Sequence, residues 1–240
     1  DTPPPRYRGG KAAIVYPSPF GAHNIEAMSF NPGSGLVYIP TMDQGRVYID
    51  PAEPLKSWKH LDGQRISVGT GAPPPGVTPD RPATSFLLAW NPVTQSEAWR
   101  IPMPGLRGGG GTATTAGNLL FQGNAGGKFV AYAATSGKPL WSFDAQTAVM
   151  AQPISYRARG RQYVTVIAGS RFPSAIGLPR EWNYRIQQWR VLTFALDGKA
   201  ALPKVDPVDM PVIDDPAFAV DPARAAIGAT VFGQRCSICH

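Results

Sequence analysis

The 240 residues are 43% apolar and 16% charged, with 26 glycines and 26 prolines, too apolar for disorder and dense in turns, which favours many short strands. Lys and Arg exceed Asp and Glu by 23 − 16 = 7, yet they are scattered in ones and twos, which argues against nucleic acid and leaves a positively biased surface. No apolar stretch approaches the roughly 20 residues of a bilayer span, so no membrane span is expected, and the Asp1-Thr-Pro-Pro-Pro start lacks the charged and apolar regions of a signal peptide.

In chain order, the first predicted strand covers 35–39, Gly-Leu-Val-Tyr-Ile. Strands over 87–90 and 98–101 follow as a hairpin, then 118–122, a second hairpin of 129–133 with 139–143, and strands over 162–167 and 190–194. Each is a β-branched or aromatic run bounded by Gly, Pro, Asp or Asn. The two hairpins share an eleven-residue text. Ala-Trp-Asn-Pro-Val-Thr-Gln-Ser-Glu-Ala-Trp from Ala89 to Trp99 recurs without gaps, 42 positions later, as Ala-Tyr-Ala-Ala-Thr-Ser-Gly-Lys-Pro-Leu-Trp from Ala131 to Trp141. A weaker copy puts Tyr48 and Trp58 at a similar period. A period near 42 matches a four-stranded propeller blade of about 40–45 residues, which buries its faces only against its neighbours. An ordinary β-sandwich would need the two tryptophan hairpins to coincide by chance.

Between about 202 and 221 the text becomes rich in Pro and Asp, which reads as an extended linker. Asp221 is then a suitable N-cap and Pro222 a suitable first residue for a helix through 223–234, with Ile227, Val231 and Phe232 on one side. The helix leads into Cys236-Ser-Ile-Cys239-His240, and a Cys pair at this spacing followed by His is a c-type haem signature. The thiols of Cys236 and Cys239 add to the haem vinyl groups, and the His240 imidazole lies beneath the iron. The same Cys pair alone also suits a redox dithiol, a disulfide or half a zinc site. A zinc site needs a second ligand pair, and His23 and His60 are isolated. The Gly228 and Phe232 pair resembles the first helix of class I cytochromes c, where the glycine admits another helix. Such cytochromes usually take a second axial Met from downstream, and all five methionines here precede the motif.

These residues together resemble a known family. Gly21-Ala-His-Asn-Ile-Glu-Ala-Met-Ser-Phe-Asn-Pro-Gly-Ser-Gly-Leu-Val-Tyr-Ile-Pro40 is similar to the Gly-x-His-Asn-Trp…Met-Ser-x-Asn-Pro-x-Thr-Gly-Leu-Val-Tyr-Ile-Pro segment of PQQ-dependent alcohol dehydrogenases. The stretch 111–141 resembles their tryptophan-docking blade motif, and 191–203 their last propeller strand and exit. The resemblance runs along nearly the whole chain to the haem motif and points to the quinohaemoprotein members. It implies an all-β chain carrying the C-terminal blades of an eight-bladed propeller over 1–203, a linker over 204–221 and the start of a truncated cytochrome c domain over 222–240.

In this family an alcohol is oxidised to a carbonyl compound. PQQ lies at the propeller centre beside Ca²⁺, an Asp acts as base, and electrons leave singly through the haem. Asn24 matches the Asn that contacts PQQ, a role suited to an amide, while Ile25 replaces the family Trp. The calcium ligands, catalytic Asp and vicinal disulfide belong to earlier blades, so this piece alone is expected to be inactive. Ala133 and Asn91 stand where the blade motif usually has Asp, which predicts weaker turns. Ser170-Arg-Phe-Pro173 replaces a Gly-Trp-Gly-Gly-like turn and implies an altered pocket or mouth. The resemblance further implies a bacterial periplasmic protein exported by an upstream signal, with a redox protein or membrane quinone pathway as electron acceptor. A noncatalytic propeller scaffold for protein binding and an electron-transfer cytochrome whose propeller has lost its quinone are the competing expectations.

Overall fold

The computed structural model describes residues 12–48, 75–169, 188–203 and 219–235. Chain order gives β1 (Ala13–Val15), β2 (Ser29–Asn31), β3 (Leu36–Asp43), β4 (Arg46–Tyr48), β5 (Thr84–Asn91) and β6 (Ser96–Met103). Then come β7 (Gly109–Thr114), β8 (Leu119–Asn124), β9 (Lys128–Ala133), β10 (Pro139–Asp144), β11 (Ile154–Ala158), β12 (Arg161–Ala168), β13 (Arg190–Ala195) and α1 (Pro222–Arg235). Every predicted strand within the described residues is present, and Trp58 and Ser170–Pro173 lie outside them.

The strands form antiparallel sheets in the orders β2-β3-β5-β6, β7-β8-β9-β10 and β11-β12-β13, while β1 pairs with β4 in a separate ribbon. Successive neighbours in two four-stranded sheets are what propeller blades require, and the chain is a part of a β-propeller. The eleven-residue repeat is structural down to its irregularity. Ala89 pairs with Trp99 and Trp90 with Glu97, while Ala131 pairs with Trp141 and Tyr132 with Pro139. Each hairpin therefore carries one extra residue, Ala98 or Leu140, immediately before its tryptophan, a β-bulge that re-aims the side chain.

Burial follows from the stacking of sheets. In β3, Leu36, Tyr38 and Met42 alternate with half-buried residues, as expected for a strand buried on one face. The middle sheet is covered on both faces, so β8 and β9 are buried almost continuously. Leu120, Val130 and Tyr132 pack with Leu36, Tyr38, Leu87 and Met103 of the first sheet, whereas Phe121, Phe129 and Ala131 pack with Val164, Val166 and Leu192 of the third.

The first seam is pinned at one carbonyl. Ala134 O, in the turn between β9 and β10, accepts the Tyr38 hydroxyl at 2.8 Å and the Trp99 indole N–H at 3.3 Å. Trp99 also covers Gly137 of that turn, whose φ is +70° and where a Cβ would lie 2.8 Å from the ring. Trp141 lies edge-on to Phe194 of the third sheet, centroids 5.2 Å apart. The turns predicted to be weak are closed. Asn91 Oδ1 accepts from Val93 N at 2.9 Å and Thr94 N at 3.2 Å, and the Ala133 turn closes through backbone alone, with Gly137 N donating to Ala133 O and Ala133 N to Lys138 O, both at 2.8 Å.

Helix α1 begins as predicted. Asp221 Oδ1 accepts from Ala223 N at 2.9 Å and Arg224 N at 3.2 Å, capping two of the N–H groups that an α-helix leaves unpaired. Its Ile227, Val231 and Phe232 are exposed, and a Cβ on Gly228 would meet open space. The helix-to-helix approach expected at Gly228 is thus not made among the described residues.

Two measurements check the seam. Gly35 has φ +68° with nothing near a Cβ, so Gly35→Ala is expected to cost only the left-handed backbone term of about 1–2 kcal/mol. Gly137→Ala adds the encounter with Trp99 and is expected to cost clearly more in equilibrium denaturation; equal losses would dissociate the ring from the turn. Burial pushes the Tyr132 phenol up to about 12, against ~10 in an unfolded chain. Its contribution is therefore fully present below about pH 10 and is lost as pH rises towards about 12. Tyr132→Phe is expected to flatten the fall in melting temperature across that window. Some slope should remain from Tyr38, which burial also raises although its Ser34 hydrogen bond opposes the shift.

Candidate cofactor site at the inner strands

The innermost strands of successive sheets approach closely because their side chains are small. Strand β7 reads Gly-Gly-Gly-Thr-Ala-Thr, and a Cβ on Gly110 would lie 2.7 Å from Val149 O. Backbone contact at that point demands glycine. The strands are stitched by polar groups: Thr112 N donates to Ala27 O at 2.8 Å, Thr112 Oγ1 lies 2.8 Å from Ser29 Oγ, and Gly111 N donates to Met150 O at 3.2 Å. Fully buried Gln122 donates from Nε2 to Gly110 O at 2.8 Å, and Gln152 Nε2 donates to Thr112 O at 3.2 Å.

Asn24 lies in the turn before β2. It is exposed and donates one amide hydrogen to Phe20 O at 2.8 Å. That bond closes a local turn and leaves the second amide hydrogen to donate to a quinone or carboxylate oxygen, so the residue fits the contact implied by the resemblance. Its neighbour Ile25 is 77% exposed.

A charged pair not singled out in the sequence lies beside them. Glu26 Oε1 accepts from Arg107 Nη2 at 2.6 Å, with the side chains only 9% and 24% exposed respectively. Arg107 sits between β6 and β7, so the pair ties the turn before β2 to the link between the first two sheets. Nothing in the sequence links them: they are 81 positions apart and each is an isolated charge.

Cys236, Cys239 and His240 lie outside the described residues. Among the described residues, no group of three His, Cys, Asp or Glu stands ready to hold a metal ion, and no helix is long and apolar enough to cross a membrane.

Residues 88–164 match the model of the PQQ glucose/ethanol/alcohol dehydrogenase β-propeller domain. The sheets are thus blades of a PQQ-type propeller. Over 235 residues the chain is 40% identical to quinohemoprotein alcohol dehydrogenase ADH IIB of Pseudomonas putida, covering 95% of this chain and 32% of that protein. It is 37% identical to ADH-IIG of the same organism, covering 98% and 33%. The solved structure of ADHIIG superposes with a TM-score of 0.77 at 35% identity over 98% of this chain and 35% of that one. The quinohemoprotein alcohol dehydrogenase of Comamonas testosteroni superposes with a TM-score of 0.72 at 33% identity, covering 97% and 34%. The chain is thus similar along nearly its whole length to quinohaemoprotein alcohol dehydrogenases and spans about a third of the length of the curated relatives it matches.

Proposed function

We propose that this chain contributes the later blades and the haem attachment site to a PQQ-dependent enzyme that oxidises alcohols to carbonyl compounds. The observation that carries this reading is the similarity to quinohemoprotein alcohol dehydrogenases over 95% of the chain, joined to an outward-facing Asn24 amide in the turn before β2. We divide the chain into propeller blades over 1–203, a linker over 204–221 and the start of a cytochrome c domain over 222–240.

When bound, PQQ supplies the two-electron acceptor for the alcohol, and the haem passes the electrons on singly. Asn24 would donate its free amide hydrogen to a PQQ oxygen, and Ile25 stands beside it where the family has Trp. Cys236 and Cys239 would attach the haem through their thiols, and His240 would ligate its iron. Ca²⁺ and the catalytic base are held by residues of other blades, as the family resemblance implies. The site of action is the bacterial periplasm, and the electrons go to a redox protein or a membrane quinone pathway.

Two measurements test this. Asn24→Ala is expected to raise the PQQ dissociation constant about tenfold, corresponding to the roughly 1.4 kcal/mol of one hydrogen bond to a cofactor oxygen; binding within twofold of the parent would remove Asn24 from the site. Protein exported with haem-maturation machinery is expected to keep its haem stain after denaturing electrophoresis and to lose it in the Cys236→Ser/Cys239→Ser double variant. A stain that survives both substitutions would place the attachment elsewhere. PQQ-free protein that stains for haem but never binds added PQQ would favour an electron-transfer cytochrome over a dehydrogenase.

A further inference from the structure

The turn over 21–28 is fastened on both sides of an open middle. On one side, Met42 N donates to Ala22 O at 2.8 Å and His23 Nδ1 to Pro40 O at 2.8 Å. On the other, Ala27 O accepts from Thr112 N at 2.8 Å and from Thr112 Oγ1 at 3.1 Å. Between these anchors Asn24 and Ile25 face outward, and Glu26 alone is turned in, with nine-tenths of its side chain buried.

The Glu26 carboxylate is only half satisfied by Arg107. Its Oε2 is buried and has no hydrogen-bond partner among the described residues. A cavity of about 10 Å³, lined by Glu26, Pro40, Met42, Arg107 and Gly108 among others, has room for one water to donate to it. A second cation there would face the Arg107 guanidinium, so a neutral donor suits the charge balance. Burying a carboxylate is unfavourable unless it is paired and fully hydrogen-bonded. A solvent-exposed pair would give the same attraction without that penalty. What burial adds is a fixed direction between the turn over 21–28 and the link from β6 to β7.

We propose that the Glu26–Arg107 pair, completed by one water on Glu26 Oε2, makes Glu26 a positioning residue that sets how Asn24 and Ile25 are presented to the cofactor. This rests on the reading that Asn24 contacts PQQ, and the test separates the two.

In the purified, haem-loaded protein carrying this chain, stripped of PQQ, the PQQ dissociation constant is measured by absorbance titration for Asn24→Ala, Glu26→Ala, Glu26→Gln and Arg107→Met. Glu26→Ala and Arg107→Met are each expected to raise it about tenfold, and the double variant no further, since each single change already removes the pair. Glu26→Gln, which keeps an oxygen for Arg107, is expected to recover binding to within about threefold of the parent, a rescue that a general loss of stability would not produce. The positioning role is overturned, with the Asn24 reading intact, if Asn24→Ala weakens PQQ while Glu26→Ala and Arg107→Met stay within twofold of the parent, or if their only effect is a lower melting temperature. Unchanged binding in Asn24→Ala overturns both. Should Glu26→Ala fail to fold, Arg107→Met and Glu26→Gln carry the same comparison.

Discussion

The Ala134 carbonyl takes two hydrogen bonds from the neighbouring sheet, one from the Tyr38 hydroxyl and one from the Trp99 indole, and the register of everything around it follows. Tyr38 is wholly buried in mid-strand, so its hydroxyl must find an acceptor or leave a desolvated donor that costs about 1–3 kcal/mol. Meeting that demand at Ala134 places Leu36 and Leu87 against Leu120, Val130 and Tyr132 and lays Trp99 over Gly137. Neither sheet can satisfy these groups alone, which is the physical content of a blade needing its neighbour. With the outer part of the seam set, the inner strands meet closely enough for Thr112 to reach Ala27 and Ser29.

What could be read from the sequence was what local texts encode. The two tryptophan hairpins were legible because the eleven-residue repeat fixes turn length and bulge together; a gapless match across a bulge means that both copies carry it. Helix α1 was legible from Asp221 and Pro222, whose roles depend only on the first turn. Strand β7 was not, since Gly-Gly-Gly-Thr-Ala-Thr has no β-branched or aromatic run and becomes a strand through partners in other blades. The weak turn expected at Asn91 was wrong for a simple reason: the turn needs an acceptor for Val93 and Thr94 N–H, and an amide oxygen serves as well as a carboxylate. Asn24 could be named only through the family resemblance, because nothing local distinguishes it from any other turn asparagine.

The Glu26–Arg107 pair marks the limit of such reading. The other described ion pairs, Arg81 with Asp43 and Asp80, Arg100 with Glu97, Lys128 with Asp144 and Arg161 with Asp197, have at least one partner about half exposed, and pairs of this kind contribute about 0–1 kcal/mol. A buried pair behaves differently: deleting one partner strands the other charge and costs about 3–5 kcal/mol, although the intact pair adds little over an apolar substitute. Stability alone therefore gives no reason to place a carboxylate where a leucine would pack as well. A fixed geometry does, because an ion pair with hydrogen-bond directionality has one good arrangement where an aliphatic contact has several. The turn that this pair anchors also carries the exposed Asn24 and Ile25. On the proposed reading of Asn24, that fixed geometry lies beside the cofactor contact, where a misplacement of about 1 Å would matter most, and the fold that brings position 26 to position 107 leaves no trace in either residue's own neighbourhood.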